Sequence, residues 1–134
     1  MSNVHTYIRL YLFLTFMVSQ ELINRGGEKI SPLEVDGILL THPAVAEACC
    51  FGAPDAKYGE VVAAVVVLRP EFTSQNSTVI EEAIKKHCAT KMAAFKVPTQ
   101  IFITAAIPKG PTGKIQRRTM ALTLMPQAST TSKL

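Results

Sequence analysis

Ile23-Asn24-Arg25-Gly26-Gly27-Glu28-Lys29-Ile30-Ser31-Pro32-Leu33-Glu34-Val35-Asp36 sets the architecture, because an extended element and a helix meet within it. The paired glycines supply the backbone freedom that a tight turn between extended segments requires. Just beyond the turn, Ser31 stands as an N-cap, Pro32 takes the first helical position, and Glu34 completes a capping box. A helix is expected from about Pro32 to Leu40, burying Val35, Ile38 and Leu39 and ending at Thr41-His42-Pro43.

Outward from this stretch, Val45 to Phe51 reads as a strand leading into a turn at Gly52-Ala53-Pro54-Asp55. The unbroken apolar run Val61 to Leu68 has the length and composition of a strand buried on both faces. Thr78 and Glu81 form a second capping box, and Ile80, Ile84, Cys88, Met92 and Phe95 follow at helical spacing. Gln100 to Thr104 is a short strand, and Ile115 to Leu122 a last helical stretch. On the N-terminal side, Leu10 to Val18 is rich in aromatic and branched residues and reads as a strand. It is too short to cross a bilayer, and no small-residue cleavage site follows it, so neither a membrane span nor a secretory leader is expected.

A chain of 134 residues with 48% apolar content supports one core. The expected fold is α+β: a small mixed β-sheet packed with about three helices and preceded by a β-hairpin-like segment. Residues 1–20 form an N-terminal extension, 21–123 the folded domain, and 124–134 a tail too poor in apolar residues to fold alone.

Lys and Arg exceed Asp and Glu by 14 to 10, and the excess lies in the C-terminal half, from Lys85 to Lys133. Such a face attracts polyanions, whether nucleic acid, a membrane surface or a phosphorylated cofactor, or it simply keeps the surface solvated. The absence of basic residues interleaved with aromatics argues against nucleic acid. Cys49, Cys50 and Cys88 have no metal-ligand spacing and leave an odd thiol in any disulfide scheme, which points to a reducing compartment. Adjacent Cys49 and Cys50 point to opposite faces of a strand and act as small apolar fillers.

The loop Ile107-Pro108-Lys109-Gly110-Pro111-Thr112-Gly113-Lys114 shapes the backbone around one lysine. A phosphate-binding P-loop needs four residues between its glycines and Ser or Thr after its lysine; here two residues intervene and Ile115 follows Lys114. The P-loop is rejected. A loop ammonium can still meet phosphate or carboxylate oxygens as a point charge, and otherwise it is a solvated surface lysine.

Glu21 to Asp36 closely resembles the hinge-proximal motif of adenylate-forming enzymes, and Pro108-Lys109-Gly110-Pro111-Thr112-Gly113-Lys114-Ile115-Gln116-Arg117-Arg118 resembles their C-terminal lysine motif. Between them His42-Pro43-Ala44-Val45-Ala46, Phe51-Gly52-Ala53-Pro54-Asp55, Tyr58-Gly59-Glu60 and Ala94-Phe95-Lys96-Val97-Pro98 resemble, in the same order, acyl-CoA synthetases of this superfamily. The wording of the two motifs is nearest to plant and fungal oxalate–CoA ligases, with 4-coumarate and fatty acids open as alternative acids.

The resemblance implies the C-terminal domain of the adenylate-forming fold and a two-step ligation. A carboxylate attacks ATP to give an acyl-adenylate and pyrophosphate, and the CoA thiol then attacks the adenylate after the small domain swings. Lys114 matches the lysine that meets the carboxylate and phosphate oxygens. Gly26 and Gly27 match the turn presented to the pantetheine channel, Lys29 a position near the adenylate phosphate, and Lys96, Arg117 and Arg118 neighbours of CoA phosphates. ATP or AMP, CoA and Mg2+ are the implied cofactors, Mg2+ and ATP being held by a large N-terminal adenylation domain. That domain is the expected partner.

Departures from the family pattern matter as well. Where the family carries a Gly-Arg pair and a hinge residue, Met17-Val18-Ser19-Gln20 stands, and Tyr11 to Leu14 resembles the strand that normally precedes them. The 134 residues lack the large domain, as a truncated gene model, a splice product or an excised fragment would, so no adenylation is expected from the chain alone. Other readings are an adaptor that binds through the apolar surface the large domain normally covers, and nucleic-acid binding by the basic half. Ser132-Lys133-Leu134 is a peroxisomal address, implying an import receptor as partner and the peroxisomal matrix as location, with the cytoplasm as the alternative.

Overall fold

The computed structural model describes residues 2–125. In chain order these form α1 (Ser2–Glu21), β1 (Ile23–Arg25), β2 (Glu28–Ile30), α2 (Pro32–Leu40), β3 (Val45–Asp55), β4 (Gly59–Leu68), α3 (Ser77–Ala89), β5 (Gln100–Ile103) and α4 (Met120–Leu124), with short 3-10 turns at Pro70–Phe72, Ala94–Lys96 and Arg117–Thr119. The architecture is the expected α+β one, a mixed five-stranded sheet with helices.

β4 is the centre of the sheet. Along one edge it pairs antiparallel with the whole of β3, from Asp55↔Gly59 to Val45↔Leu68. Its other edge holds β5, parallel through Ala63↔Gln100 to Val66↔Ile103, and the end of β1 at Arg25↔Gly59. Val62 to Val66 are all buried, as the unbroken apolar run predicts for a strand covered on both faces.

The period of two sorts side chains between those faces. Cys50, Val62, Ala64 and Val66 join Val35 and Leu39 of α2, Ile80, Ile84 and Cys88 of α3, and Ile23 and Ile30 of the β1–β2 hairpin in the larger core. Cys49, Phe51, Ala53, Ala63 and Val65 face the other way, under Ile107 and Met120. The neighbouring cysteines thus lie in different cores, and all three are free thiols.

Several boundaries differ from the sequence reading. Leu10 to Val18, expected as a strand, lies in α1, a run with no Pro or Gly from Ser2 to Glu21. A helix satisfies its own amides, whereas a strand there needs a free sheet edge to pair with. β3 runs on to Asp55 instead of turning at Gly52. Pro54 is tolerated because β3 is an edge strand: Cys50 turns its N–H away from β4, and so, two and four residues on, do Gly52 and Pro54, so the missing amide proton breaks no ladder bond. The turn falls at Ala56 to Tyr58, where Asp55 Oδ2 accepts from the amides of Lys57 (3.0 Å) and Tyr58 (2.8 Å).

Neither capping box forms as expected. Ser31 does occupy the N-cap of α2, but its side chain makes no cap hydrogen bond. Asn76, not Thr78, caps α3, its Oδ1 accepting from Thr78 N at 2.9 Å. That helix stops at Ala89, so Met92 and Phe95 reach the core from the segment behind it. The last helix starts later than Ile115, at Met120, after a 3-10 turn.

Candidate functional site

Two exposed turns carry the residues singled out by sequence. At the first, Gly26 and Gly27 have φ of +57° and +96°, the pair of positive values that a two-residue type I′ hairpin demands. Asn24 Oδ1 accepts from Gly27 N at 3.0 Å, and Gly26 N donates to the Tyr58 carbonyl at 2.8 Å, pinning the hairpin to the β3–β4 turn. A Cβ on Gly26 would stand 3.1 Å from Tyr58 Cδ1, whereas one on Gly27 would meet nothing within 4 Å. The tip at Gly27 is bare backbone projecting into open space.

Beside it, the Arg25 guanidinium lies 3.9 Å from the Tyr58 ring centroid and Lys57 Nζ 5.0 Å from it. Lys57 first, and Arg25 with it, pull the Tyr58 phenol below its usual range. Glu60 Oε1 accepts from Asn24 N at 3.1 Å, tying β1 to β4 beyond their single ladder pair. Lys29 is exposed on β2, opposite Asn24.

The second turn holds Lys114. Gly113 N donates to the Gly110 carbonyl at 2.9 Å across Pro111-Thr112, neither of which has positive φ, so the turn is type I. Gly113 follows at φ +80°, the left-handed residue that closes a three-residue hairpin loop. Gly110 N donates to the Lys114 carbonyl at 2.9 Å, and Lys109 bridges Ile115. The Gln116 side chain packs over Gly110 where a Cβ would otherwise stand. Lys114 itself is exposed, with no ion pair among the described residues.

The remaining basic residues divide. Arg118 is exposed. Lys96 Nζ reaches both carboxylate oxygens of Glu34 at 3.2 Å, an ion pair that is partly solvent-facing. Arg117, expected beside CoA phosphates, points inward instead: Nη2 pairs with Asp36 Oδ2 at 3.0 Å, and Nη1 donates to the Cys50 carbonyl at 2.6 Å. Its charge is engaged inside the domain, because the adjacent carboxylate and an edge carbonyl of β3 both need a partner. Burial, with Asp36 next, pushes the Cys50 thiol far up, and burial raises Cys88 to about 11.

Sequence reasoning quoted Asp36, Tyr58, Glu60 and Gln116 within the family motifs but gave none of them a role. A signal existed for Asp36, since the first quoted motif ends on its carboxylate and the second on the guanidiniums of Arg117 and Arg118. None existed for Gln116 over Gly110, which depends on the curvature of the hairpin.

The cleft beside the lysine hairpin, lined by Pro108, Lys109, Gly110, Gln116, Thr119, Met120 and Thr123, encloses about 150 Å³. That is below the several hundred Å³ of ordinary small-molecule sites. A larger groove of about 420 Å³ at Val67, Leu68, Thr73, Ile103, Thr104 and Ala105 offers no charged group to a phosphate. Among the described residues no three His, Cys, Asp or Glu side chains gather as a metal-binding group.

A mixed sheet carrying two glycine-built turns, one with an exposed lysine, matches a known class. The chain belongs to the AMP-binding enzyme C-terminal domain family, whose model matches residues 34–114. Within it the chain is 53% identical over 111 residues to an oxalate–CoA ligase of Arabidopsis thaliana, covering 83% of this chain and 20% of that protein. It is 50% identical over 120 residues to a probable CoA ligase, CCL9, of Humulus lupulus, covering 90% and 22%. The crystal structure of a Brucella canis acyl-CoA synthetase superposes with a TM-score of 0.68 at 35% identity, over 85% of this chain and 20% of that one. The chain therefore spans about a fifth of the length of the relatives it matches. Ser132, Lys133 and Leu134 lie outside the described residues, and no described helix is long and apolar enough to cross a membrane.

Proposed function

We propose that this chain acts as the mobile C-terminal domain of an ATP-dependent acid–CoA ligase, with Lys114 as its catalytic residue. The observation that carries the proposal is the state of Lys114: exposed, free of ion pairs among the described residues, and mounted on a hairpin closed by Gly110 and Gly113. An ammonium so held meets the carboxylate and the α-phosphate oxygens as pyrophosphate departs, where charge develops and fixed donors act most strongly. Gly26 and Gly27 serve the second step, since bare backbone can enter a narrow pantetheine channel. Lys29 and Arg118 are exposed and are the proposed contacts to phosphates, while Lys96 and Arg117 act within the domain.

Oxalate is the proposed acid, resting on the likeness to the Arabidopsis enzyme. ATP and CoA are bound chiefly by a separate large domain, in keeping with the small cleft beside Lys114, and Mg2+ enters with ATP on that domain. Residues 21–123 form the working unit, and Ser132-Lys133-Leu134 directs it to an import receptor and the peroxisomal matrix. A fluorescent fusion at the N-terminus reports this location, and loss of punctate signal on deleting Leu134 is the expected result.

The test mixes the chain with the large domain of the Arabidopsis relative and follows ATP–pyrophosphate exchange and oxalyl-CoA formation. Activity is expected only in the mixture, falling about 10²- to 10³-fold in Lys114→Ala. Exchange by the chain alone, or activity indifferent to Lys114, overturns the proposal. A second reading, a non-catalytic adaptor, is favoured by the exposed apolar residues Tyr7, Tyr11 and Leu12 of α1. It predicts association without Lys114 dependence.

A further inference from the structure

β3 borders the sheet, so one side of its backbone has no neighbouring strand. At Cys50 that side is completed by two side chains: Asp36 Oδ1 accepts from Cys50 N at 2.7 Å, and Arg117 Nη1 donates to the Cys50 carbonyl at 2.6 Å. Asp36 Oδ2 and Arg117 Nη2 then close the ring at 3.0 Å, with the two side chains only 13% and 15% exposed. A largely buried ion pair gains little net stability over an apolar contact of the same shape. Its geometric effect is larger, because α2, β3 and, far along the chain, the segment behind the lysine turn are fixed at one point.

The lysine hairpin has two feet. Ile107, 3% exposed, anchors the first in the core under β3 and β4. Arg117, three residues beyond Lys114, anchors the second. Between them the segment is held by its own turn and by Gln116 over Gly110. Asp36 belongs to the helix that directly follows the Gly26–Gly27 hairpin, whose Ile30 is fully buried.

We infer that the Asp36–Arg117 pair is a positioning device: by gripping Cys50 it fixes the direction of Lys114 and joins the lysine turn to the glycine turn as one rigid body. Neither side chain touches a reacting group. The inference rests on the proposed role of Lys114 for its functional half, and on geometry alone for its structural half.

Two variants test it in the full 134-residue chain. Asp36→Asn keeps an acceptor for Cys50 N but removes the charge, and Arg117→Lys keeps the charge but removes the fork that reaches two acceptors. Amide exchange followed by NMR should quicken about tenfold at Gly110 and Gly113 and stay unchanged at Val62 to Val66, the signature of local rather than global opening. Equal acceleration at all of these amides shows a merely structural pair, and unchanged exchange at Gly110 and Gly113 shows no pair of consequence; either overturns the inference. In the mixture with the large domain, kcat of adenylation should fall about tenfold with KM for ATP unchanged, a misplacement effect. Arg117→Lys should retain more activity than Arg117→Ala. An active wild-type mixture indifferent to Lys114→Ala overturns the catalytic half while leaving the exchange result to decide the positioning half.

Discussion

Replacing Gly27 by alanine separates what the turn needs from what its surroundings need. Nothing lies within 4 Å of a Cβ at this position, so no clash inside the domain opposes the new methyl group. The backbone does oppose it, since φ is +96°, a region that side-chain-bearing residues occupy only at a cost of about 1–3 kcal/mol. Alanine also stiffens the unfolded chain, returning about 0.4–1 kcal/mol, so the net loss is about 1–2 kcal/mol. For a domain near one hundred residues this lowers Tm by about 4–15 °C. Thermal unfolding followed by circular dichroism measures it, with Gly27→Asn, better suited to left-handed backbone, expected between wild type and Gly27→Ala. An unchanged or higher Tm in Gly27→Ala refutes the left-handed turn. Below Tm, thioester formation in the two-domain mixture should fall more than adenylation, because only a channel supplied by the other domain can feel that methyl group. Equal loss in both steps refutes the assignment of the turn to the second step.

Other perturbations address single interactions. Asn76→Ala removes the side chain that caps α3 and should cost about 1 kcal/mol in a urea titration, while Thr78→Ala should cost less, since Thr78 supplies only its amide to the cap. His42, held below its usual pKa by burial and then by His87, accepts from Ala44 N at its Nδ1. Its neutral form is the one the fold keeps, so stability is full above about pH 6.5 and declines as pH falls toward the depressed folded value. A urea midpoint that drops between pH 7.5 and 5.5, with a shallower drop in His42→Asn, is the expected outcome. Cys49, Cys50 and Cys88 are buried, Cys88 with its pKa raised to about 11, so a thiol reagent at pH 8 should label them only under unfolding conditions.

How legible the fold was depends on whether local pattern and tertiary partner agreed. Val61 to Leu68 and the Gly26-Gly27 turn were readable because each carries a demand, burial on both faces or positive φ, that few other arrangements meet. Leu10 to Val18 was misread because its aromatic and branched residues suit a strand by propensity, while whether it pairs with a sheet edge is not written in the segment. At Asn76-Ser77-Thr78 three successive side chains could each cap a helix, and only the entry angle of the chain selects Asn76. Lys114 stood out through the glycines and prolines around it, but its proposed chemistry was legible through family resemblance and not from the loop. Arg117 looked like a neighbour of CoA phosphates or one more solvated cation, because only the folded chain brings Asp36, far back in the sequence, to face it across Cys50.

The margin of the sheet along β3 has a consequence for how copies of this protein behave when crowded. A sheet border is a template for pairing with another chain unless its donors and acceptors are already taken. Here an incoming strand would find the amide and carbonyl of Cys50 occupied by Asp36 and Arg117, and at Pro54 no proton to accept. The same ring of contacts that holds the lysine turn therefore guards a long apolar strand against stacking with its own kind, and loosening it should bring turbidity on concentration before it brings unfolding.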